Sequence, residues 1–307
     1  AVAYCEYQRK RLDEFRVTAP QYLAALPVVY SINERSAEYD KGVYAKFYAE
    51  LGDFQNARSL SKTLTFDYGR VRSLLEVASH CVTRRNYAEA KHTIQEVQEM
   101  PLTDSEKTEG TPSRLELIAR LQARMNDTTA LNGTLSSAKE GNTRSFLLLA
   151  AAEEATKLRR SKQGKAWVEQ SLGALVAEDS KSRYLLHDDI QTRSFLVYLA
   201  LGEPEKAEAL FARLKQPYNM FKMQIAVAYH KKGNLARYES LRNQALQGIQ
   251  QSQRDESIKL AELSAFAEDC LEVSDFESAK AIVTSLPIES ATYMLYAIAQ
   301  KRNREGD

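Results

Sequence analysis

The residue types that most often carry out catalysis are few in this 307-residue chain, and they do not converge on a motif. Only one of the four histidines, His80, lies next to a cysteine, Cys81. Neighbouring residues of a helix point about 100° apart, which places such a pair poorly for a base and its nucleophile. No His-Glu-x-x-His or Cys-x-x-Cys motif supplies convergent metal ligands. The histidines and cysteines therefore predict neither nucleophilic catalysis nor a metal site.

Acidic and glycine-containing segments are no better suited to chemistry. The doublets at 153–154 (Glu-Glu) and 188–189 (Asp-Asp) could act as general acid and base, but adjacent carboxylates on a helix are typical of solvated surfaces. Gly164-Lys165 lacks the glycine five residues earlier that a phosphate-binding loop requires. We predict that the chain is not an enzyme and uses no cofactor.

Basic residues cluster around one predicted turn. Residues 139–165 contain seven basic and three acidic residues, a net charge of +4. One interpretation is a docking site for an acidic partner or a nucleic acid. The other is a set of solvated helix ends, where cations favour the C-terminal dipole. This alternative basic docking patch consists of Lys157, Arg159, Arg160, Lys162 and Lys165.

Composition narrows the class of protein. Apolar residues make up 44% of the chain and charged residues 27%, which favours a folded domain over disorder. The 42 basic and 41 acidic residues nearly cancel, which disfavours a nucleic-acid partner. Cys5, Cys81 and Cys270 are far apart and odd in number, which favours a reducing, cytoplasmic compartment. No apolar run reaches the length of a transmembrane helix.

A short polar turn followed by a fixed apolar pattern recurs along the chain. After the turn at 52–53 come Phe54, Ala57, Leu60 and Leu64, whose offsets place them on one face of a helix. Related patterns start near positions 54, 87, 128, 165, 204, 235 and 276. An amphipathic helix precedes each turn, so the repeating unit is predicted to be a helical hairpin of 31 to 41 residues.

Turn chemistry supports these boundaries. Gly52, Gly202 and Gly233 can adopt the left-handed conformation that ends a helix. Asp53 and Asn86 can cap the N-terminus of the helix that follows. A single hairpin cannot bury its own apolar face, so neighbouring hairpins must stack. The sequence predicts an all-α fold, an α-solenoid of about seven to eight stacked hairpins.

The repeat resembles the tetratricopeptide family. That family has a small residue within the first helix, Gly-Asp/Asn-aromatic at the turn, and alanine three residues after the aromatic. The first set of matches is Ala45, Gly52-Asp53-Phe54 and Ala57, followed by Ala78, Asn86-Tyr87 and Ala90. Further matches are Ala226 with Gly233-Asn234, and Ala267 with Asp275-Phe276 and Ala279. Tyr238 departs from the pattern, because it stands where the family has a small residue.

The resemblance implies a superhelix whose concave groove, lined by first helices, binds a peptide, helix or domain of another protein. The residues that it would turn toward the groove are Tyr39, Lys46, Arg72, Ser79, Met220, Met223, His230 and Glu268. We therefore expect a protein-interaction scaffold or adaptor. Two alternatives stay open: an RNA-binding helical repeat, which the irregular spacing disfavours, and a ligand-sensing regulatory domain.

We expect residues 1–307 to form one elongated domain. Residues 1–36 are predicted to form N-terminal helices, residues 38–307 the repeats, and residues 103–113 a long polar loop. Residues 288–302 have the pattern of a first helix with no second helix after it. This favours a fragment of a longer protein, with a homo-oligomer as the alternative source of the missing helix.

Overall fold

The computed structural model describes residues 34–101, 113–138, 142–175, 185–214 and 219–305, together with residues 11–24 apart from 12, 16 and 22. All regular structure in these ranges is helical, which confirms the all-α prediction for this part of the chain. The first helices are α1 (Glu34–Leu51), α2 (Phe54–Lys62), α3 (Asp67–Thr83), α4 (Tyr87–Glu99), α5 (Ser113–Met125), α6 (Thr128–Ser137) and α7 (Asn142–Lys157). The later helices are α8 (Ser161–Ala174), α9 (Leu185–Ala200), α10 (Pro204–Phe211), α11 (Asn219–Lys231), α12 (Leu235–Gln250), α13 (Glu256–Glu272), α14 (Phe276–Val283) and α15 (Ile288–Glu305).

Two compact units make up the chain, one ending at Leu158 and the other beginning at Arg159. In the first unit, each of α1, α3 and α5 packs against the helix that follows it and against the next odd-numbered helix. The same pattern holds for α9, α11 and α13 in the second unit. Adjacent helical pairs are thus the packing unit, while a single elongated domain stays a prediction. The predicted N-terminal helices (1–36) and polar loop (103–113) lie largely outside the described residues.

One turn geometry precedes every even-numbered helix in the described part of the chain. The residue two positions before each even-numbered helix has a positive φ: Gly52 (88°), Arg85 (60°), Asn126 (60°), Arg159 (57°), Gly202 (70°), Gly233 (79°) and Ser274 (61°). At the first turn, the Gly52 N–H donates to the Ala49 carbonyl (3.0 Å) and the Asp53 N–H to the Tyr48 carbonyl (2.8 Å). These are the paired bonds of a Schellman motif, which satisfy the last carbonyls of the helix. The predicted left-handed glycines are confirmed.

At most of these turns, the residue that follows the positive-φ residue caps the N-terminus of the even-numbered helix. The Asp53 and Asn86 side chains accept hydrogen bonds from the backbone N–H groups of Asn56 (3.3 Å) and Glu89 (3.4 Å), as predicted. Equivalent caps, at 3.0 to 3.2 Å, are made by Asp127, Asn234 and Asp275. Such a cap contributes about 1 kcal/mol. A single polar residue therefore ends one helix and starts the next.

The predicted start of α8 at Lys165 is wrong, because the helix begins at Ser161. Arg159 takes the left-handed conformation, and the Arg160 carbonyl accepts from the N–H groups of Gln163 (3.0 Å) and Gly164 (2.9 Å). With this start, successive even-numbered helices begin 33, 41, 33, 43, 31 and 41 residues apart. The spacing that looked irregular is an alternation, so the larger repeat is a pair of hairpins.

Small residues and ion pairs organise the even-numbered helices. Ala57, Ala90, Ala207 and Ala279, each three residues after a helix start, are fully buried. In four of these helices, the residue four positions after the start forms a salt bridge with the next even-numbered helix or with the residue just before it: Arg58–Glu89 (2.6 Å), Lys91–Asp127 (2.7 Å), Lys165–Glu203 (2.6 Å) and Glu208–Arg237. Much of the charge on these helices is therefore used within the fold.

Candidate partner-binding groove

Two concave regions lie on the odd-numbered helices of the first unit. One, of about 530 Å³, lies along α1 and α3, and the other, of about 380 Å³, along α3 and α5. Both are lined by Tyr68, Arg72 and Glu76, so they are continuous. We call this combined surface the α1–α5 groove.

Exposed aromatic and aliphatic side chains line the α1–α5 groove. Tyr39 is 73% exposed, Tyr68 55%, Phe66 47% and Leu117 43%. Tyr39 and Phe66 line the region along α1, Leu117 lines the region along α5, and Tyr68 lines both. Buried residues close the floor of the cavity along α5: Val71, Leu75 and Leu121. Large apolar side chains that stay exposed beside a concave floor are typical of a binding surface.

Two exposed cations lie beside these aromatics. The Arg72 side chain is 64% exposed, and its Nε lies 3.6 Å from the Glu76 carboxylate, beyond hydrogen-bond range. Lys46 is exposed as well, with its Nζ 3.9 Å from the Glu50 carboxylate. Both contacts join residues four apart on one helix and are weak. Arg72 and Lys46 are therefore able to exchange these contacts for those of a ligand.

Three other arginines build the wall of the groove. Arg124 donates to the hydroxyls of Ser79 (3.0 Å) and Thr83 (2.9 Å), which ties α5 to α3. Arg120 forms salt bridges with Glu116, Glu153 and Glu154, at 2.6 to 3.2 Å, which ties α5 to α7. Arg114 is buried and donates to backbone carbonyls at and just after the end of α4. These bonds position the α5 side of the groove.

The four groove residues predicted in the first unit come together. Tyr39 and Lys46 line the region along α1, Ser79 lines the region along α5, and Arg72 lines both. Leu117 and Arg124 were missed, because a groove between helices is not visible in the periodicity of one helix. Ser79 is a structural acceptor for Arg124 as well as a lining residue.

The four groove residues predicted in the second unit lie in different environments. Met223 is fully buried, so the prediction that it faces the groove is wrong. Its position on α11 faces the core, where its flexible apolar side chain fills space between other apolar side chains. Met220 is half-buried, His230 packs edge-on against the Tyr238 ring at 5.0 Å, and Glu268 is exposed. None of them lines the cavity of about 460 Å³ between α9, α11 and α13.

Two lysines of the basic docking patch form salt bridges within the protein. Lys157 pairs with Glu154 (2.8 Å), and Lys165 pairs with Glu203 (2.6 Å). Arg159 occupies the left-handed turn position, Arg160 precedes α8, and Lys162 is exposed on the first turn of α8. The patch therefore presents fewer available cations than its sequence indicates.

The His80–Cys81 pair has the properties of core residues. Cys81 is fully buried, and burial raises the pKa of its thiol to about 12. Burial also lowers the pKa of His80. Because the thiolate is the nucleophilic form, this cysteine is held in its unreactive state. Within the described ranges, no three histidine, cysteine or carboxylate side chains converge as metal ligands.

In the described part of the chain, no helix combines the length and the apolar character that crossing a membrane requires.

Comparisons with known proteins give no family. No family model matches the chain, and no curated protein matches it. Among solved structures, the crystal structure of Ton1535 from Thermococcus onnurineus NA1 aligns with 95% of this chain and 99% of its own, at 14% identity and a TM-score of 0.33.

Proposed function

We propose that this protein is a non-enzymatic scaffold whose helical repeats stack in a tetratricopeptide-like solenoid and hold a peptide or helix of a partner protein in the α1–α5 groove. The observation that carries this proposal is the exposed aromatic surface of Tyr39, Phe66 and Tyr68 beside the weakly engaged Arg72. Aromatic and arginine side chains supply most of the energy of protein interfaces.

The size of the aromatic surface sets the expected affinity. Covering the exposed parts of Tyr39, Phe66 and Tyr68 would remove about 300 Å² of largely apolar surface from water. At about 25 cal/mol per Å², this contributes about 7 kcal/mol. Association costs about 4–15 kcal/mol, so the apolar contacts alone give a weak complex. Polar contacts to Arg72 and Lys46 would then decide which partner binds.

The even-numbered helices are less suited to this role. Their charged side chains are joined to one another in the first unit, as in Arg58–Glu89 and Lys91–Asp127. A partner would have to break these bonds before forming its own. This supports the odd-numbered helices as the binding face.

The test is capture of a partner with the full chain, followed by measurement of its affinity for two matched triple variants. The groove variant is Tyr39→Ala/Tyr68→Ala/Arg72→Ala. The control variant is Gln55→Ala/Ser59→Ala/His92→Ala, which changes exposed positions of α2 and α4. We expect the groove variant to bind at least about 100-fold more weakly, since each lost interface anchor costs about 1–2 kcal/mol. The control should bind as the wild type does.

Unchanged binding by the groove variant would contradict the proposal. Circular dichroism and the melting temperature of both variants establish that they fold. If binding survives in the groove variant but is lost in Arg159→Ala/Arg160→Ala, the basic docking patch is the binding site. Ribonuclease treatment before capture separates a protein partner from an RNA.

A further inference from the structure

A second cavity, in the other unit, has features that the proposed function does not use. This cavity of about 460 Å³ lies between α9, α11 and α13, and we call it the α9–α13 cavity. Its apolar wall includes Leu196, Leu199, Val227 and Ala228. Its volume is in the range of about 300–1,000 Å³ that is typical of small-molecule sites.

Two hydrogen-bond acceptors in this wall have no donor among the residues that the structure describes. Asp269, half-buried on α13, forms no hydrogen bond or ion pair with any residue that the structure describes. The Gln224 side-chain oxygen, on α11, is enclosed and also lacks a partner among those residues. The enclosed Gln224 oxygen is a buried acceptor without a donor, which is costly, and the half-buried Asp269 carboxylate lines the same cavity.

The cations nearest to the cavity are engaged with other carboxylates. Lys231 pairs with Glu272, and Lys232 pairs with Glu205 (2.9 Å). Burial is the largest cause that raises the pKa of Asp269, and together with the charges of Glu272 and Glu268 it brings this pKa to about 7, against the effect of Lys231. The carboxylate therefore stands in a negative environment that the protein's own lysines do not neutralise.

We propose that the α9–α13 cavity binds a primary alkylammonium group, with the ammonium donating to the Asp269 carboxylate and the Gln224 amide oxygen and the methylenes lying along Leu196 and Val227. An ammonium carries three donors and no acceptor, which matches two orphaned acceptors. Its methylene chain covers apolar surface, as lysine side chains do at protein surfaces. The ligand is either a lysine side chain of a partner protein or a free alkylamine, and it binds independently of the α1–α5 groove.

Protonation of Asp269 gives the site a characteristic pH dependence. Only the ionised carboxylate attracts an ammonium, which itself stays protonated up to about pH 10. With a pKa of about 7 for Asp269, we expect affinity to fall about tenfold between pH 8 and pH 6. The charges that act on this carboxylate are Glu268 and Glu272 on its own helix and Lys231 on α11, and Lys232, just after α11, also lines the cavity.

The experiment uses the full chain with methyl-labelled leucine and valine, and it titrates two probes by NMR. The probes are n-butylammonium and Nα-acetyl-lysine methylamide. We expect saturable shifts of the Leu196 and Val227 methyl groups, with weaker binding at pH 6 than at pH 8. Asp269→Asn, which keeps the shape of the side chain, should bind at least about tenfold more weakly because the ion pair is lost. The matched control is Glu239→Gln, which removes an exposed carboxylate of α12 that does not line the cavity.

The two probes identify the source of the ligand. Binding of both supports a partner's lysine, and binding of n-butylammonium alone supports a free amine. The proposal is overturned if neither probe shifts these methyl groups, or if Asp269→Asn binds as tightly as the wild type. Equal losses in Glu239→Gln and Asp269→Asn would also overturn it, because binding would then depend on the overall surface charge and not on this cavity. Melting temperatures confirm that both variants fold.

Discussion

The carboxylate of Asp275 joins two consecutive even-numbered helices, and its removal gives the sharpest test of the repeat geometry. It caps α14 through the Ser278 N–H (3.2 Å) and accepts from the Tyr238 hydroxyl (2.5 Å) and from Arg242 Nη1 (2.7 Å) on α12. Loss of the cap costs about 1 kcal/mol. The buried Tyr238 hydroxyl and the half-buried Arg242 would each lose a partner, at about 1–3 kcal/mol. Arg242 keeps its bond to Ser278 Oγ (2.9 Å), so we expect Asp275→Ala to lower the free energy of unfolding by about 3 kcal/mol.

The matched control is Asn86→Ala, because the Asn86 side chain makes the cap hydrogen bond to the Glu89 N–H and no contact to another even-numbered helix in the described structure, so its loss should cost about 1 kcal/mol. Urea unfolding at pH 7, followed by circular dichroism, measures both variants. If the two substitutions cost the same, the contacts between α12 and α14 add nothing to the cap, and the packing described for this pair is incorrect.

The pH dependence of Asp275 gives an independent measurement of the same contacts. Burial alone would raise the pKa of this carboxyl, but hydrogen bonds from Tyr238, Arg242 and Ser278 outweigh it and lower the pKa below 3.8. A lowered folded-state pKa stabilises the fold above the unfolded value, and this stabilisation is lost as the pH falls through the folded value. The difference between the wild type and Asp275→Asn should therefore be constant near neutrality and shrink below about pH 4.

Three further predictions concern the packing of the core, the half-buried carboxyl of Asp269 and the turns between helices. Ala90→Leu should destabilise by about 1–3 kcal/mol, because Ala90 is fully buried, while Ala88→Leu on the exposed face of the same helix should be nearly neutral; equal melting temperatures would contradict the burial of α4. Asp269→Asn should raise stability at pH 8, by at most about 4 kcal/mol, since a folded-state pKa of about 7 against 3.8 makes the wild type less stable as the pH rises between these values; between pH 5 and pH 8 the melting temperature should change less for the variant than for the wild type. Because both positions have a positive φ, Gly233→Ala should lower the free energy of unfolding in urea by about 1 kcal/mol, and Arg85→Gly should raise it by about 0.5 kcal/mol. Stabilisation by Gly233→Ala or destabilisation by Arg85→Gly would refute the shared turn geometry.

Local chemistry in the sequence determined the hairpins. The turns at Gly52, Gly202 and Gly233 and the caps at Asp53 and Asn86 depend on residues within one or two turns of helix, so their types and spacing are sufficient to locate them. The same reasoning fails where the residue type is not diagnostic. Arg159 takes a left-handed conformation that arginine seldom adopts, so the start of α8 at Ser161 was not visible in the sequence.

The tertiary structure decided which face of each helix is available. Periodicity defines an apolar stripe but not its edges, so Met223 was placed in a groove although packing buries it completely. The same limit applies to Glu268 and Asp269, which are adjacent carboxylates about 100° apart around α13. Only the rotation of α13 against α11 places Asp269 in the α9–α13 cavity and leaves Glu268 exposed. That rotation depends on side chains from helices distant in the chain, which no local pattern encodes.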